Sequence, residues 1–340
     1  MACMKILLVK LSSLGDVVHT LPVVQDILAA RPDAQIDWVV ESAFAPLLKR
    51  CSGLHRIITC SLRRWRKAPL AASTRREWHA FRQELQQEAY DAVIDLQGLT
   101  KSALVARLAT LAPGGQRFAM ANQTDGSGYE APTRWLANVA ITLPARSHAV
   151  QRGRALVSQA LTFQPLALPD FGLRVSSPAE TTAAIETAKR SVVLVHGTSR
   201  ADKEWPLAHW VAFGQQLHQV GLQVALVHGS PSEQATSEAM AQKINALTGQ
   251  SSAAVMPLMA LDALTDCLAA SRGVVGVDSG VSHIAVALGL PHVQIYNVET
   301  AWRTGPLPAQ SPRQVSVFAW PTPAVATVWQ AFHACLEAAA

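Results

Sequence analysis

An aspartate that could act as a base stands directly after the first apolar run of the chain. The run MKILLVK is followed by LSSLGDVVHTLP, in which Asp16 opens a segment of helical character and His19 lies three residues further on. A carboxylate in this place could remove a proton from a substrate hydroxyl if its surroundings tune its pKa. It could equally serve as a plain helix cap. The residues alone leave both interpretations of Asp16 open, and His19 could as well be a packed histidine.

Three polar clusters in the second half of the chain could bind a phosphorylated ligand. Each follows an apolar run of strand length and precedes a segment of helical pattern. The clusters are HGTSRADKEWP (196–206), HGSPSE (228–233) and VDSGVSHIAVALG (277–289). In open parallel sheets, ligands bind outside the carboxyl ends of the strands. One such cluster could be an ordinary turn, but three in succession favour a nucleotide site, in which Glu233 stands where a ribose diol is commonly held.

The donors in these clusters suit a pyrophosphate. Thr198, Ser199 and Lys203 offer two hydroxyls and an ammonium beside a turn. Ser279 and Gly280 would begin a helix whose free N–H groups and dipole both favour negative charge. The same residue types are those that helix caps require, so each cluster has a purely structural alternative.

A basic stretch in the first half of the chain offers a second anion-binding region. Between residues 56 and 82 there are eight Lys and Arg residues and one acid, Glu77. Arginine binds carboxylates and phosphates through two parallel hydrogen bonds. Within SLRRWRKAPL the candidates are Arg63, Arg66 and Lys67. The alternatives are a solvated charged segment and, because tryptophans interleave the arginines, a nucleic-acid contact.

Composition and missing motifs exclude several classes of protein. With 340 residues, 49% of them hydrophobic and 16% charged, the chain is expected to form two compact domains. We expect no membrane-spanning segment and no signal peptide. The five cysteines are scattered and are predicted to be free thiols in a reducing compartment. The G-x-G-x-x-G and P-loop motifs are absent, and neither zinc spacing nor a D-x-D pair predicts a metal site. The net charge of +5 indicates an anionic partner.

Alternating strand-like and helix-like segments predict the elements that must position these residues. KILLVK, a helix from Asp16 to about Ala30, and QIDWVVE form a first β-α-β unit. A second unit contains DAVIDLQG and the helical TKSALVARLAT. After a proline-rich connection, four more strand-like runs alternate with helices, namely SVVLVHG, QVALVHG, GVVGVD and PHVQIY. The fold class predicted is α/β, with two Rossmann-like domains facing each other across a cleft.

Taken together, the motifs resemble a known enzyme family. They are Lys10–Pro22, RRWRK (63–67), DLQGLTKSA (95–103), HAVQRGRAL (148–156), TSRADKEWP (198–206) and VDSGVSH (277–283). In order and spacing they are similar to those of ADP-heptose:lipopolysaccharide heptosyltransferases, from residue 4 to roughly 330. GDVVHTLP and RRWRK resemble the type I enzymes more than type II.

The resemblance implies a GT-B glycosyltransferase with the active site in the cleft. It implies an N-terminal acceptor-binding domain over 1–165, a C-terminal ADP-heptose-binding domain over 180–320, and a C-terminal helix in 321–340 that packs back on the first domain. The implied reaction is inverting transfer of L-glycero-D-manno-heptose from ADP-heptose to the inner Kdo of Kdo2-lipid A. It uses no metal or other cofactor. The implied location is the cytoplasmic face of the inner membrane of a Gram-negative bacterium, in peripheral contact with the anionic bilayer.

The resemblance also assigns residues. Asp16 matches the general base, and the positions expected to bind the acidic acceptor are Arg63, Arg66 and Lys67. The positions expected to bind the donor are Thr198, Ser199, Lys203, Glu233, Met259, Asp278, Ser279, Gly280 and His283. Two positions depart from the family pattern. Tyr129 stands where an arginine is expected, with Arg134 close enough in sequence to replace it, and Asn297 stands where a glycine is usual.

Other functions remain to be separated from this one. A heptosyltransferase II or another nucleotide-sugar transferase would share the fold and differ in substrate. A non-catalytic protein that binds nucleotides or nucleic acid through the basic stretch is a third alternative. It predicts salt-sensitive binding without product, whereas the sequence contains no recognisable nucleic-acid motif.

Overall fold

The chain forms two compact units, Met1–Arg174 and Val175–Ala340. The structure is a computed structural model, and it describes residues 3–175, 182–309 and 311–339. The predicted domain bounds, 1–165, 180–320 and 321–340, stay predictions. Residues 1, 180 and 340, at which these three ranges begin or end, lie outside the described residues.

The N-terminal unit is built on a parallel six-stranded sheet in the order β3-β2-β1-β4-β5-β6. Its strands are β1 (Lys5–Val9), β2 (Gln35–Glu41), β3 (Leu54–Cys60), β4 (Ala89–Asp95), β5 (Thr110–Met120) and β6 (Val139–Ile141). Its helices are α1 (Leu14–Thr20), α2 (Pro22–Ala30), α3 (Ala45–Leu48), α4 (Leu62–Trp65), α5 (Ala72–Leu85), α6 (Thr100–Leu108), α7 (Pro132–Leu136) and α8 (Ala149–Leu161), with a 3₁₀ turn at Ser42–Phe44.

Two helix layers enclose this sheet. Side chains alternate between the faces of a strand, so that Leu7 and Val9 of β1 join one core, which α5 and α6 cover with Phe81 and Val105 among others. Helix α8 packs against α1 and α2. Because both faces are covered, β1 and β4 are apolar along almost their whole length, as expected of central parallel strands.

The C-terminal unit repeats the same architecture with the order β12-β11-β10-β7-β8-β9. Its strands are β7 (Ser191–Val195), β8 (Gln223–Leu226), β9 (Ala253–Val255), β10 (Gly273–Val277), β11 (His292–Tyr296) and β12 (Gln314–Phe318). Its helices are α9 (Ala183–Lys189), α10 (Leu207–Gln219), α11 (Pro231–Thr248), α12 (Leu261–Ala270), α13 (Gly280–Ala287), α14 (Ala301–Thr304) and α15 (Val325–Glu337), with a 3₁₀ turn at Ala201–Lys203.

The strand order places a switch point in each sheet. From β1 the chain builds outward on one side through β2 and β3, and then returns to build the other side from β4. The loops after β1 and β4 therefore diverge and leave a crevice at the carboxyl edge, where ligands of such folds bind. In the second sheet the same relation holds between β7 and β10. The α/β class and the parallel sheets predicted from the sequence are confirmed.

Most predicted elements are present, with one division. The single helix expected from Asp16 to about Ala30 is two helices, which meet at Leu21 and Pro22. Proline at the first position of α2 has no N–H to donate and favours a new helix start. The strands β3, β5, β6, β9 and β12 lacked a clear sequence signal.

The last helix packs within its own unit. The buried side chains of α15, Val328, Phe332 and Cys335, join the core that also contains Phe213 of α10 and Ile295 of β11. The apolar face of α15 is thus used by the C-terminal sheet. It stays a prediction that segment 321–340 also packs on the N-terminal domain through its other side chains.

Candidate active site

Asp16 lies in the first turn of α1, next to the switch point of the N-terminal sheet. Its Oδ2 accepts hydrogen bonds from the backbone N–H of Ser13 at 3.0 Å and from the Ser13 hydroxyl at 2.9 Å. Its Oδ1 lies 3.7 Å from Nζ of Lys10 and 4.0 Å from Nη2 of Arg152. About a third of the side chain, 36%, is exposed. Asp16 therefore caps its helix with one oxygen and keeps the other beside two cations.

These contacts keep Asp16 ionised. Burial favours the neutral form, but Lys10, the two hydrogen bonds from Ser13 and the charge of Arg152 outweigh it and lower the pKa of Asp16 below its usual value. At neutral pH the carboxylate is therefore able to accept a proton. A low pKa makes a weaker base, so proton transfer requires that the attacking hydroxyl become acidic as it reacts.

A buried network holds the loop that carries Asp16. Nζ of Lys10 donates to the carbonyl of Leu96 at 3.0 Å, and Oε1 of Gln97 accepts from the backbone N–H groups of Leu11 and Ser12, each at 3.1 Å. Because Leu96 and Gln97 follow β4 and residues 10–12 follow β1, these bonds join the two sides of the switch point.

Asp95 anchors the other half of this network. It accepts from the backbone N–H of Gln97 at 2.9 Å and from the hydroxyl of Ser102 at 3.0 Å. Burial raises the pKa of Asp95 to about 6, against the opposing effect of these hydrogen bonds. Asp95 therefore shapes the loop after β4 and starts α6, while Asp16 faces the crevice.

His19 lies in the wall behind Asp16. It is buried and, together with Asp16 and Arg152, lines a cavity of about 10 Å³, which has room for about one water molecule. Its ring lies 6.2 Å from that of His148 in an edge-to-face arrangement. His19 is thus a packed histidine that borders the site.

The basic stretch divides into structural and exposed residues. Trp65 is buried against Trp78 and Phe81, and its indole N–H donates to Glu77, which also pairs with Arg64. These contacts fix the segment to α5. The three residues predicted to bind the acceptor, Arg63, Arg66 and Lys67, are exposed beside this anchor.

In the C-terminal unit, Asp278 is the centre of a compact polar cluster. It follows β10, and its Oδ2 lies 2.6 Å from Nζ of Lys203, while its Oδ1 lies 3.3 Å from Nε2 of His283. Thr304 and Gln294 donate to the same Oδ1 at 3.4 and 3.5 Å. Burial opposes the charge, but His283 and Lys203 outweigh it and hold the pKa of Asp278 well below its usual range.

The helix after Asp278 begins with the predicted anion-binding residues. Ser279 is the N-cap of α13, and its hydroxyl accepts from the N–H of Ser282 at 3.5 Å. A Cβ on Gly276 would lie 2.3 Å from Oγ of Ser282 and 2.8 Å from Cβ of Val195, so glycine is required where α13 approaches β10 and β7. The N–H groups at the start of α13 therefore follow Asp278, the partner of Lys203, directly in the chain.

Glu233 adjoins the same edge from α11. Its Oε2 accepts from the N–H of Gly229 at 2.7 Å. A Cβ on Gly197 would lie 2.7 Å from its carboxyl group, so the loop after β7 passes directly over it. Thr198, the next residue of that loop, donates to the carbonyl of Asp278 at 3.4 Å. The loops after β7, β8 and β10 therefore converge.

Two predicted donor residues are less closely tied to this cluster. Ser199 is exposed in the loop after β7, and Met259 is half-buried in the segment between β9 and α12. Their contacts with a ligand stay predictions.

Several residues that were not among the predicted site residues support the site. Lys10 and Arg152 flank Asp16, and both stand within motifs named above. Asn297 donates from Nδ2 to the carbonyl of Glu204 at 2.7 Å and to that of Asp202 at 3.3 Å, and thereby holds the turn that carries Lys203. Gln294 lies between Asp278 and His283. Lys203 and Asn297 each contact a residue 75 or more positions away in the sequence. No local sequence pattern encodes such contacts.

Two features are absent from the described part of the chain. Among residues 3–175, 182–309 and 311–339, no group of three or more His, Cys, Asp or Glu side chains is arranged to hold a metal ion. Within the same ranges, no helix has the length and apolar composition needed to cross a membrane.

Comparisons with known proteins identify the relatives of this fold. Residues 78–328 match the model of glycosyltransferase family 9 (heptosyltransferase). The chain is 36% identical over 295 residues to lipopolysaccharide heptosyltransferase 1 of Escherichia coli (strain K12), covering 86% of this chain and 88% of that one. The structure superposes on E. coli heptosyltransferase WaaC with ADP, with a TM-score of 0.82, 31% identity and coverage of 96% and 98%. The complex of WaaC with ADP-2-deoxy-2-fluoro heptose gives a TM-score of 0.78 at 32% identity, with the same coverage.

Proposed function

The chain belongs to glycosyltransferase family 9, the heptosyltransferases, and we propose that it transfers heptose from ADP-heptose to the inner Kdo of Kdo2-lipid A. It is a glycosyltransferase of lipopolysaccharide core synthesis with the GT-B fold. The observation that carries the finer proposal is the ionised Asp16 at the switch point of one sheet, combined with the Lys203–Asp278–His283 cluster at the switch point of the other.

In this proposal Asp16 removes the proton from the acceptor hydroxyl. The hydroxyl oxygen attacks the anomeric carbon of the heptose, the bond from that carbon to the ADP phosphate breaks with inversion, and the proton passes to Asp16. Oδ1 is the oxygen suited to this role, because Ser13 occupies Oδ2. Lys10 and Arg152 keep the carboxylate ionised before each reaction.

The C-terminal unit would bind the donor. The negative charge that grows on the departing ADP is stabilised by Lys203 and by the N–H groups at the start of α13, which are oriented before the reaction begins. Thr198, Ser199, Ser279 and Gly280 would bind the diphosphate. Glu233 would bind the ribose, Met259 would line the nucleoside pocket, and Asp278 with His283 would contact the heptose.

Asp278 has a further role toward Lys203. In the described structure its carboxylate already neutralises the ammonium at 2.6 Å. A bound diphosphate would draw Lys203 into contact with two anionic groups. This arrangement fixes the ammonium in place and reduces the cost of removing it from water when the donor binds.

The acceptor would be held by the exposed basic residues of the N-terminal unit. Arg63, Arg66 and Lys67 suit the carboxylates of Kdo and the phosphates of lipid A, since all three are positively charged and exposed. We further propose that transfer needs no metal, and that the protein works on the cytoplasmic face of the inner membrane in peripheral contact with the bilayer.

The decisive experiment measures ADP release from ADP-heptose with and without de-acylated Kdo2-lipid A. We expect release that depends on the acceptor, persists with a chelator present, and disappears in Asp16→Asn. A panel that includes an already heptosylated core separates type I from type II transfer. Release that requires the heptosylated core would assign type II, and acceptor-independent release would contradict the proposal.

A further inference from the structure

The outer helix layer of the N-terminal unit exposes large apolar side chains. Leu104 of α6 is 53% exposed and Trp135 of α7 is 69% exposed. The two helices pack together through their other faces. These faces border a small shared cavity, which is lined in part by Ala103, Ala106, Thr133 and Leu136. Leu104 and Trp135 therefore point away from the sheet, and nothing described in the chain covers them.

Exposed basic side chains lie on the same helices as Leu104 and Trp135 and on α5. The guanidinium of Arg134 lies over the ring of Trp135, 5.4 Å from its centre. The exposed arginines of the same helix layer are Arg75, Arg76, Arg82, Arg107 and Arg134. Among the acids of α5, Glu77 is paired with Arg64, and Glu84 is half-buried. The outer surface of α5, α6 and α7, called here the basic helix face, thus combines apolar tips with unbalanced positive charge.

The charge of the whole protein is concentrated in the same unit. Residues 1–174 contain 21 Lys and Arg against 13 Asp and Glu, a net charge of +8. Residues 175–340 contain 8 against 11, a net charge of −3. A partner attracted by the overall +5 will therefore be attracted to the N-terminal unit, in which the basic helix face lies.

We propose that the basic helix face docks on an anionic lipid bilayer, with Leu104 and Trp135 entering the headgroup region. Leucine and tryptophan next to arginine are the composition of helices that lie in a membrane interface. Long arginine side chains can extend to lipid phosphates while apolar neighbours insert. The inference rests on the proposed function, because it gives the lipid-borne acceptor a surface from which the N-terminal unit can reach it.

The charge and the apolar side chains of the basic helix face also favour one kind of binding partner over others. A second copy of this chain would bring two surfaces of the same positive sign together, which opposes a symmetric dimer through this face. Nucleic acid would be attracted by the arginines, but it gives no reason for an exposed leucine beside the tryptophan. An anionic bilayer satisfies both the charge and the apolar tips.

Vesicle co-sedimentation tests the proposal without donor or acceptor. The probes are phosphatidylcholine vesicles with and without phosphatidylglycerol, at low and high salt. We expect binding only to the anionic vesicles and release by salt. The double variant Leu104→Ser/Trp135→Ser should bind at least about tenfold more weakly, and Arg107→Gln about fivefold more weakly. The matched controls in the C-terminal unit are Trp320→Ser, at a tryptophan that is 81% exposed, and Arg313→Gln.

Transfer to a de-acylated, water-soluble acceptor separates this inference from the proposed function. We expect the double variant to keep wild-type transfer to that acceptor and to lose transfer to acceptor embedded in vesicles. Equal binding to both kinds of vesicle, unchanged binding by the double variant, or an equal loss in Trp320→Ser would overturn the docking surface. Loss of transfer to the soluble acceptor would also overturn it, because the face would then serve the reaction itself. Absence of transfer in the wild type would refute the proposed function and leave the vesicle result standing.

Discussion

The two units of this protein share one topology and differ in chemistry. Both sheets have the same strand order, and both place their polar clusters at the loops beside the switch point. In the N-terminal unit the cluster centres on a partly exposed carboxylate with an oxygen available, in a unit of net charge +8. In the C-terminal unit the central carboxylate, Asp278, is buried and its oxygens are shared among Lys203, His283 and neighbouring donors. The fold determines where each polar site forms. The partners of the central carboxylate determine whether it is available to accept a proton or holds neighbouring side chains in place.

The largest effect should come from removing the carboxylate of Asp16. Asp16→Asn retains an oxygen for the Ser13 hydrogen bonds and removes the proton acceptor, so kcat should fall by about 10²–10⁴-fold. ADP binding, measured by calorimetry, should remain near wild type, since the donor residues lie in the other unit. Asp33→Asn, at an exposed carboxylate of the same unit, is the matched control. Transfer by Asp16→Asn within a few-fold of wild type would show that Asp16 is only a cap.

The corresponding change in the C-terminal unit should act through the donor. Lys203→Ala removes the ammonium next to Asp278, and we expect kcat/KM for ADP-heptose to fall by about 10²-fold. Lys243→Ala on α11, an exposed lysine remote from the cluster, should be neutral. Unchanged donor kinetics in Lys203→Ala would mean that Lys203 pairs permanently with Asp278 and does not bind a donor phosphate.

The pH dependence of kcat tests whether Asp16 is the titrating base. Because Lys10 lowers the pKa of Asp16, replacing Lys10 by Met should raise that pKa and move the acid limb of kcat to higher pH. The sign follows from the base, which must be ionised to work, so activity is lost as the pH falls through its pKa. Lys5→Met, at the other end of β1, should leave the limb in place. An unshifted limb in Lys10→Met would remove Asp16 as the titrating base.

The smallest predicted effect concerns the departure from the family pattern at Asn297. Asn297→Gly removes the two hydrogen bonds that hold the turn carrying Lys203, so KM for the donor should rise about fivefold with little change in kcat. Thr322→Val removes only the bond that Asn297 accepts at 2.9 Å and should have a smaller effect. Equal KM values in Asn297→Gly and wild type would show that the turn keeps its conformation without these two hydrogen bonds.

The sequence was sufficient to predict the α/β class and the loops that form the polar clusters. Apolar runs ending in glycine, serine or aspartate mark strand ends, and parallel strands bring those ends to one edge. The partners of the clusters were not predictable in this way. Lys10 and Gln97 each stood near the end of a strand-like run, and their roles depend on the register by which β1 and β4 pair. For Asp16, the structure confirms the capping role, and the role as base stays a proposal.

The double engagement of Asp16 has a consequence for the enzyme between turnovers. When the carboxylate takes up a proton, it loses its attraction to Lys10 and Arg152 and accepts weaker hydrogen bonds from Ser13. The helix start and the two cations therefore favour return of the proton to solvent through the exposed part of the side chain. In the proposed reaction, these contacts would restore the ionised form of Asp16 before the next acceptor binds.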